Sequence, residues 1–208
     1  MNPENLIRKL SVDLKSVQVF RYKPRDYALI LLCGFFSLGG GLAFTGIRTD
    51  IQNVMFSYDF LLQTFLLVTL AVASTLSAMQ MSIPSIQTRK AKTIVISTLS
   101  LWFAGLIYLL FSKGTLVFGW GIACSQQVAI NSVIPALIVF TFVRSAATLN
   151  RRGAGWFVLI AGGAVGALAT HFSCSDSSAS HLLVWHAFPL FLLGIVGLGL
   201  GTLFLKKL

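Results

Sequence analysis

The sequence predicts an all-α membrane protein: six transmembrane helices, N-in/C-in, preceded by a short cytoplasmic amphipathic helix. Three observations carry this. The 208 residues are 56% hydrophobic and 11% charged, with a mean hydropathy of +0.83. A soluble domain carries about 25% charged residues. Apolar runs recur six times along the chain, each close to the roughly 20 residues that cross the hydrocarbon core. The basic residues lie between those runs, and 14 of the 16 Lys and Arg fall on one side of the layout, leaving only Arg48 and Lys113 on the other. Lys and Arg are retained on the cytoplasmic side, which fixes the expected orientation. A formal net charge of +10 would suggest nucleic acid as partner of a soluble chain. Here topology accounts for it, and no direct nucleic-acid contact is expected.

Residues 1–26 form a polar, basic N-terminal segment. Asn2-Pro3-Glu4 suits a helix start: a capping side chain, a proline in the first turn, and a carboxylate at the positive end of the dipole. Leu6, Leu10, Leu14 and Val17 recur at helical spacing with Ile7 beside them, while Arg8, Lys9, Asp13 and Lys15 fall elsewhere on the wheel. Pro24 ends the pattern. A helix over 3–20 would be about 27 Å long and is too polar to span a bilayer.

The rest, 27–208, is the transmembrane domain. The first span covers about 27–47; it is longer than a signal-peptide core and no A-x-A-like site follows, so an uncleaved anchor is expected. Arg48-Thr49-Asp50 opens a short outer loop, and the second span is about 58–83. A basic cytoplasmic turn at 84–92 leads to a third span at about 93–112, with an outer turn at Lys113-Gly114. The fourth, fifth and sixth spans are about 124–145, 154–172 and 182–205. Trp120 stands at an interfacial depth before the fourth.

Ionisable groups are nearly absent from the spans: Asp59 sits near an outer end and Arg144 near an inner one. Ion-coupled transporters keep charged residues at mid-membrane. Asn131 and Pro135 are the nearest thing to a polar break, and a hydrogen bond from Asn131 to a neighbouring helix is the plain expectation. Gly162-x-x-x-Gly166 and Gly197-x-x-x-Gly201, with Gly163, Gly194 and Gly199, predict close packing of the fifth helix on the sixth. The same motif can serve a dimer, so oligomeric state is left open.

Two of the three cysteines, Cys124 and Cys174, fall at the outer surface, where a periplasm would permit a disulfide. Cys33 lies inside the first span as a small packing residue. His171 and Cys174 are three apart and would share a face of a continuing helix. Asp176, His181 and His186 are close in sequence, and thiolate with imidazole is a set that accepts soft metals such as zinc or cadmium. Three readings stand side by side: a structural Cys124–Cys174 disulfide worth about 4 kcal/mol, a redox- or metal-responsive thiol pair, and two unrelated thiols. No cofactor is expected to be required beyond such a disulfide or bound soft metal ion. There is no C-x-x-C, paired intramembrane carboxylate, G-x-S-x-G, H-E-x-x-H or phosphate-binding glycine loop, so no enzymatic activity is expected.

Six short spans, the N-terminal pattern Leu6-Ile7, Leu10, Asp13-Leu14, Val17, and Cys124 with Cys174, Asp176, Ser178 and Trp185-His186 together resemble the NrsF (negative regulator of sigma F) family of bacterial inner-membrane anti-sigma factors. Members often carry proline where this chain has Ser16. The resemblance implies that the N-terminal helix, through Leu6, Ile7, Leu10, Asp13, Leu14 and Val17, sequesters an extracytoplasmic-function sigma factor. It also implies release on heavy-metal or oxidative stress sensed at Cys124 and Cys174; the residues themselves add His171, Asp176, His181 and His186 as candidate metal ligands. Exposed anchors at this spacing suit a helix-in-groove partner; they would equally suit a helix lying on the inner leaflet of the bilayer. A different class, a small membrane transporter or metal-handling protein with the Cys/His cluster as its entry site, is the alternative.

Overall fold

The structure, a computed structural model, describes residues 3–4, 22–83, 89–113, 120–146, 148 and 150–205. The N-terminal pattern of Leu6, Ile7, Leu10, Asp13, Leu14 and Val17 lies outside the described residues. Helices α1 (Pro24–Thr45), α3 (Tyr58–Met81), α4 (Arg89–Lys113), α5 (Ile122–Arg144) and α6 (Arg151–Ser173) occupy the first five apolar runs. A short α2 (Ile51–Val54) sits in the loop after α1. The sixth run is composite: α7 (Ala179–His181), a π-helical turn (Leu182–Ala187) and α8 (Phe188–Phe204). Six segments are long and apolar enough to cross a membrane, and no strand occurs among the described residues.

Local chemistry explains the ends. Pro24 opens α1, where its missing N–H costs nothing, and the Lys23 N–H donates to Asp26 Oδ2 at 2.7 Å. Gly46 closes α1 with φ 81°, and its N–H reaches Leu42 O; an L side chain is disfavoured in that left-handed region. Ser57 Oγ caps α3 by accepting from Phe60 N, and Asn150 Oδ1 caps α6 by accepting from Gly153 N at 2.9 Å.

The helices alternate in direction, as contacts at each end show. At one end Thr45 meets Ser173 and Cys124 meets Cys174. At the other, Tyr22 meets Ser82 and Phe142, and Arg151 donates to Thr202 O. The second end carries exposed Lys23, Arg25, Arg89, Lys90, Arg144 and Arg152. Large apolar side chains such as Phe35, Phe44 and Phe111 face outward, an arrangement that is stable against hydrocarbon rather than water.

Helix α6 is the centre of the bundle: 78% of its apolar window is buried, against 6% for α1. It packs on α8, α5, α3 and α1. Its small residues admit the neighbours. A Cβ at Gly155 would lie 2.2 Å from Gly197 O, and one at Gly166 would lie 2.3 Å from Val128 O. The glycine expectation is therefore half corrected. Gly155, Gly163, Gly194, Gly197 and Gly201 do join α6 to α8, but Gly162 and Gly166 face Ala136, Ser132 and Val128 of α5. A Cβ at Gly199 would meet nothing within 4 Å outside its own helix. The reason is that a helix buried all round needs small residues on more than one face. Asn131 also departs from expectation. Its Nδ2 is buried with no hydrogen-bond partner, and its amide stands over Gly41, where a Cβ would lie 2.9 Å from Oδ1.

Candidate functional site

The cysteine end is built from three ends of helices. Cys124 lies in the first turn of α5. Cys174 follows α6, which stops at Ser173 because Cys174 turns extended (ψ 128°). Serine and aspartate side chains compete for backbone hydrogen bonds in the run Ser173–Ser178, and Asp176 Oδ1 accepts from Ser178 N at 2.8 Å in a local turn. His181 immediately precedes the π-helical turn and His186 lies within it.

That turn places the two histidines. On an α-helix residues five apart diverge by roughly 140°. In a π-helical turn the hydrogen bonds run i→i+5, as Phe188 N to Leu183 O does here, so residues five apart come onto one face. The His181 and His186 rings accordingly meet edge to face with centroids 5.5 Å apart. Gly121 makes room, since a Cβ there would lie 2.3 Å from the Trp185 ring and 2.7 Å from His181 Cε1. Ser125 Oγ ties α5 to the same turn by donating to Trp185 O at 3.1 Å.

The ligand atoms of Cys124, Cys174, His181 and His186 all lie within 4.8 Å of one another. The three cysteines are free. Cys124 Sγ and Cys174 Sγ are 3.4 Å apart, and Cys174 Sγ is 3.4 Å from His181 Nε2. Both imidazoles are buried, His186 to 1% exposure, and His186 Nε2 has no hydrogen-bond partner. The hydrogen bond from Cys124 holds the Cys174 thiol below the usual range, His186 lowers it further, and burial opposes both. A thiol shifted this way keeps its thiolate to lower pH than an ordinary cysteine, and the thiolate is the metal ligand and nucleophile.

Asp176 and His171 take other places than a shared ligand set. Asp176 Oδ2 stands 3.2 Å from His181 Nδ1, behind the imidazole whose Nε2 faces Cys174, without hydrogen-bond alignment. A carboxylate behind a ligating histidine orients the ring and sets its tautomer. Burial raises the Asp176 pKa, but hydrogen bonds from Ser178 outweigh it and leave the carboxyl below the usual range. His171 lies outside that quartet. Its ring stacks on Phe60 at 4.3 Å and lines a cavity of about 180 Å³ with Asp59, Gln63 and Ser177.

Arg48 belongs to this end, although the sequence offers it only as a loop charge. Its buried guanidinium pairs with Asp50 through Nε–Oδ1 at 2.6 Å and Nη2–Oδ2 at 2.8 Å. It also donates to Ser175 O at 2.9 Å and Ser177 Oγ at 3.0 Å, and its backbone N–H reaches Phe172 O. The Asp50 hydrogen bond raises the guanidinium pKa further and lowers that of Asp50. Arg48 therefore pins the Cys174 loop. Arg48→Met is expected to cost about 2 kcal/mol of loop order. Labelling kinetics with a small thiol reagent check it: Cys174 should react several-fold faster in the variant.

A family model described as NrsF, negative regulator of sigma F, matches residues 10–206, nearly the whole chain. No curated protein matches the chain, and no solved structure does.

Proposed function

The chain belongs to the NrsF family of negative regulators of sigma F, and is thus an anti-sigma factor; on that premise we propose that it holds an extracytoplasmic-function sigma factor at the bacterial inner membrane and releases it when a soft metal ion or an oxidant reaches Cys124 and Cys174. The observation that carries the reading is the quartet Cys124, Cys174, His181 and His186 within 4.8 Å. In a tetrahedral zinc-type site neighbouring ligand atoms are roughly 3.3–3.8 Å apart. The two 3.4 Å separations at Cys174 fit that spacing, and the unpartnered His186 Nε2 offers a lone pair. Such an ion would draw the start of α5, the loop after α6 and the π-helical turn together. An oxidant reaches the same pair differently: the two thiols give up two electrons and two protons to it and join as a disulfide.

The proposal sets the cysteine end in the periplasm and the basic end in the cytoplasm, because Lys and Arg are held on the cytoplasmic side. The sigma factor would then meet Leu6, Ile7, Leu10, Asp13, Leu14 and Val17 of the N-terminal segment, which precede α1 at the basic end. The chain acts by binding and catalyses no reaction. An input can shift the equilibrium only through different affinity for the holding and released states. The test is a pull-down of the full-length, detergent-solubilised protein against the cell's sigma factors, beside a chain lacking residues 2–23. Capture of one sigma factor, lost with the deletion, is the expected result. Capture by neither chain sinks the reading and returns the cluster to metal handling.

A further inference from the structure

Far from the cysteines, one aromatic side chain turns inward just where the N-terminal segment meets the bundle. Lys23, Pro24 and Arg25 are exposed, while Tyr22 is buried. Its hydroxyl lies 2.7 Å from Ser82 Oγ, at the end of α3, and donates to Phe142 O at 3.0 Å, near the end of α5. Ser82 Oγ is also 2.6 Å from Met79 O. Among the described residues the two hydroxyls thus make three short oxygen contacts. Phe142 O is one of the last carbonyls of α5, which have no partner inside the helix; besides Tyr22 it accepts from Ser145 Oγ at 2.6 Å and from Ser145 N. The Tyr22 ring packs edge-on against Tyr27 with centroids 6.1 Å apart. Burial raises the phenol pKa, a shift that the Ser82 contact partly offsets, so the group stays a proton donor.

The same helix, α5, carries Cys124 at one end and Phe142 at the other. Eighteen residues of helix separate them, about 27 Å. Pro135 interrupts the hydrogen-bond ladder of α5 between those points, but Gly166 packs on Val128 and Ser132 before it and Gly162 on Ala136 after it, so α6 splints α5 across the proline.

We propose that Tyr22 is a positioning residue, a hydroxyl latch that ties the start of α1 to the end of α5 and so makes it follow events at Cys124. This rests on the sensing role proposed above for Cys124 and Cys174. The latch is closed in the holding state. Metal capture at the far end displaces Phe142 O, the hydroxyl keeps Ser82 Oγ but loses its hold on α5, and the start of α1 comes away from the end of α5.

Hydrogen–deuterium exchange at the amides of Tyr22, Lys23, Arg25 and Asp26 tests this in the full-length protein in lipid nanodiscs, with and without one equivalent of cadmium ion. Three chains are compared: the natural one, Tyr22→Phe, and Tyr27→Phe as a control that keeps the ring pair. Cadmium should speed exchange at least fivefold in the natural chain and in Tyr27→Phe. Tyr22→Phe should exchange fast without cadmium and show no further response. Ser82→Ala, which removes the shorter contact, should lie between. The latch is overturned if Tyr22→Phe matches the natural chain in both conditions, or if bound cadmium leaves the natural chain unchanged. No sigma factor enters this experiment. If exchange behaves as expected while the pull-down captures nothing, the latch stands and the sigma-factor reading falls.

Discussion

Replacing Cys174 by serine is expected to lower affinity for cadmium on the order of a hundredfold and to abolish release of a captured sigma factor by that ion. The reasoning starts from ligand count. Four-ligand zinc sites are worth about 10–16 kcal/mol in all, so one thiolate contributes about 3 kcal/mol, or roughly two decades. Serine keeps the volume but offers a hard, protonated oxygen. Cys174 is also the sulfur from which both 3.4 Å contacts run, one to Cys124 and one to His181. Its loss therefore strips two neighbours of their common partner, and Cys124→Ser should be the milder change. Competition with a chelator of known affinity measures the binding, and the same samples report release. Equal affinity in Cys174→Ser and the natural chain would remove the quartet as a metal site.

A second large effect is expected at Gly166, where stability rather than sensing is at stake. A Cβ there meets Val128 O at 2.3 Å and Ser132 N at 3.0 Å. Both are backbone atoms of α5, so no rotamer change relieves the clash and the two helices must separate. Gly166→Ala should cost about 2 kcal/mol, ~5 °C in melting temperature, and Gly166→Leu more. Gly199→Ala is the matched control: nothing lies within 4 Å of its Cβ, so the melting temperature should stay put. Thermal unfolding of the three chains in one detergent decides it. A Gly166→Ala chain as stable as Gly199→Ala would mean that α5 and α6 are not held backbone to backbone.

The fold was legible because a bilayer imposes a simple code of length and polarity. The apolar runs and the charged breaks between them mark the helices to within a few residues. Centrality was less legible. Helix α6 is the core of the bundle, and its density of Gly and Ala from Ala154 to Ala169 was a signal for this. The spacing Gly162-x-x-x-Gly166 suggests an interface but does not name the partner, which proved to be α5.

At the site, Cys124 and Cys174 could be paired from topology, because both fall at one surface. His171 stands outside the quartet, stacked on Phe60, a packing that its spacing from Cys174 does not foretell. His181 and His186 are ill-matched for an α-helix, and only the π-helical turn brings them together. Arg48 and Gly121 were invisible as site residues. A loop arginine shows its role only when its carbonyl and hydroxyl acceptors, at Ser175 and Ser177, are in place. A glycine shows its role only when the ring of Trp185 occupies the space of its missing Cβ.

The most direct test of sensing through the cysteine end is a cadmium titration of the purified complex of this protein with its sigma factor. Bound metal and released sigma factor are followed together. Release should be complete at about one ion per chain, as expected for a single four-ligand site, and absent in the Cys124→Ser/Cys174→Ser double variant. Release that proceeds equally in the double variant would contradict the account, as would full cadmium binding by the natural chain with the sigma factor still held.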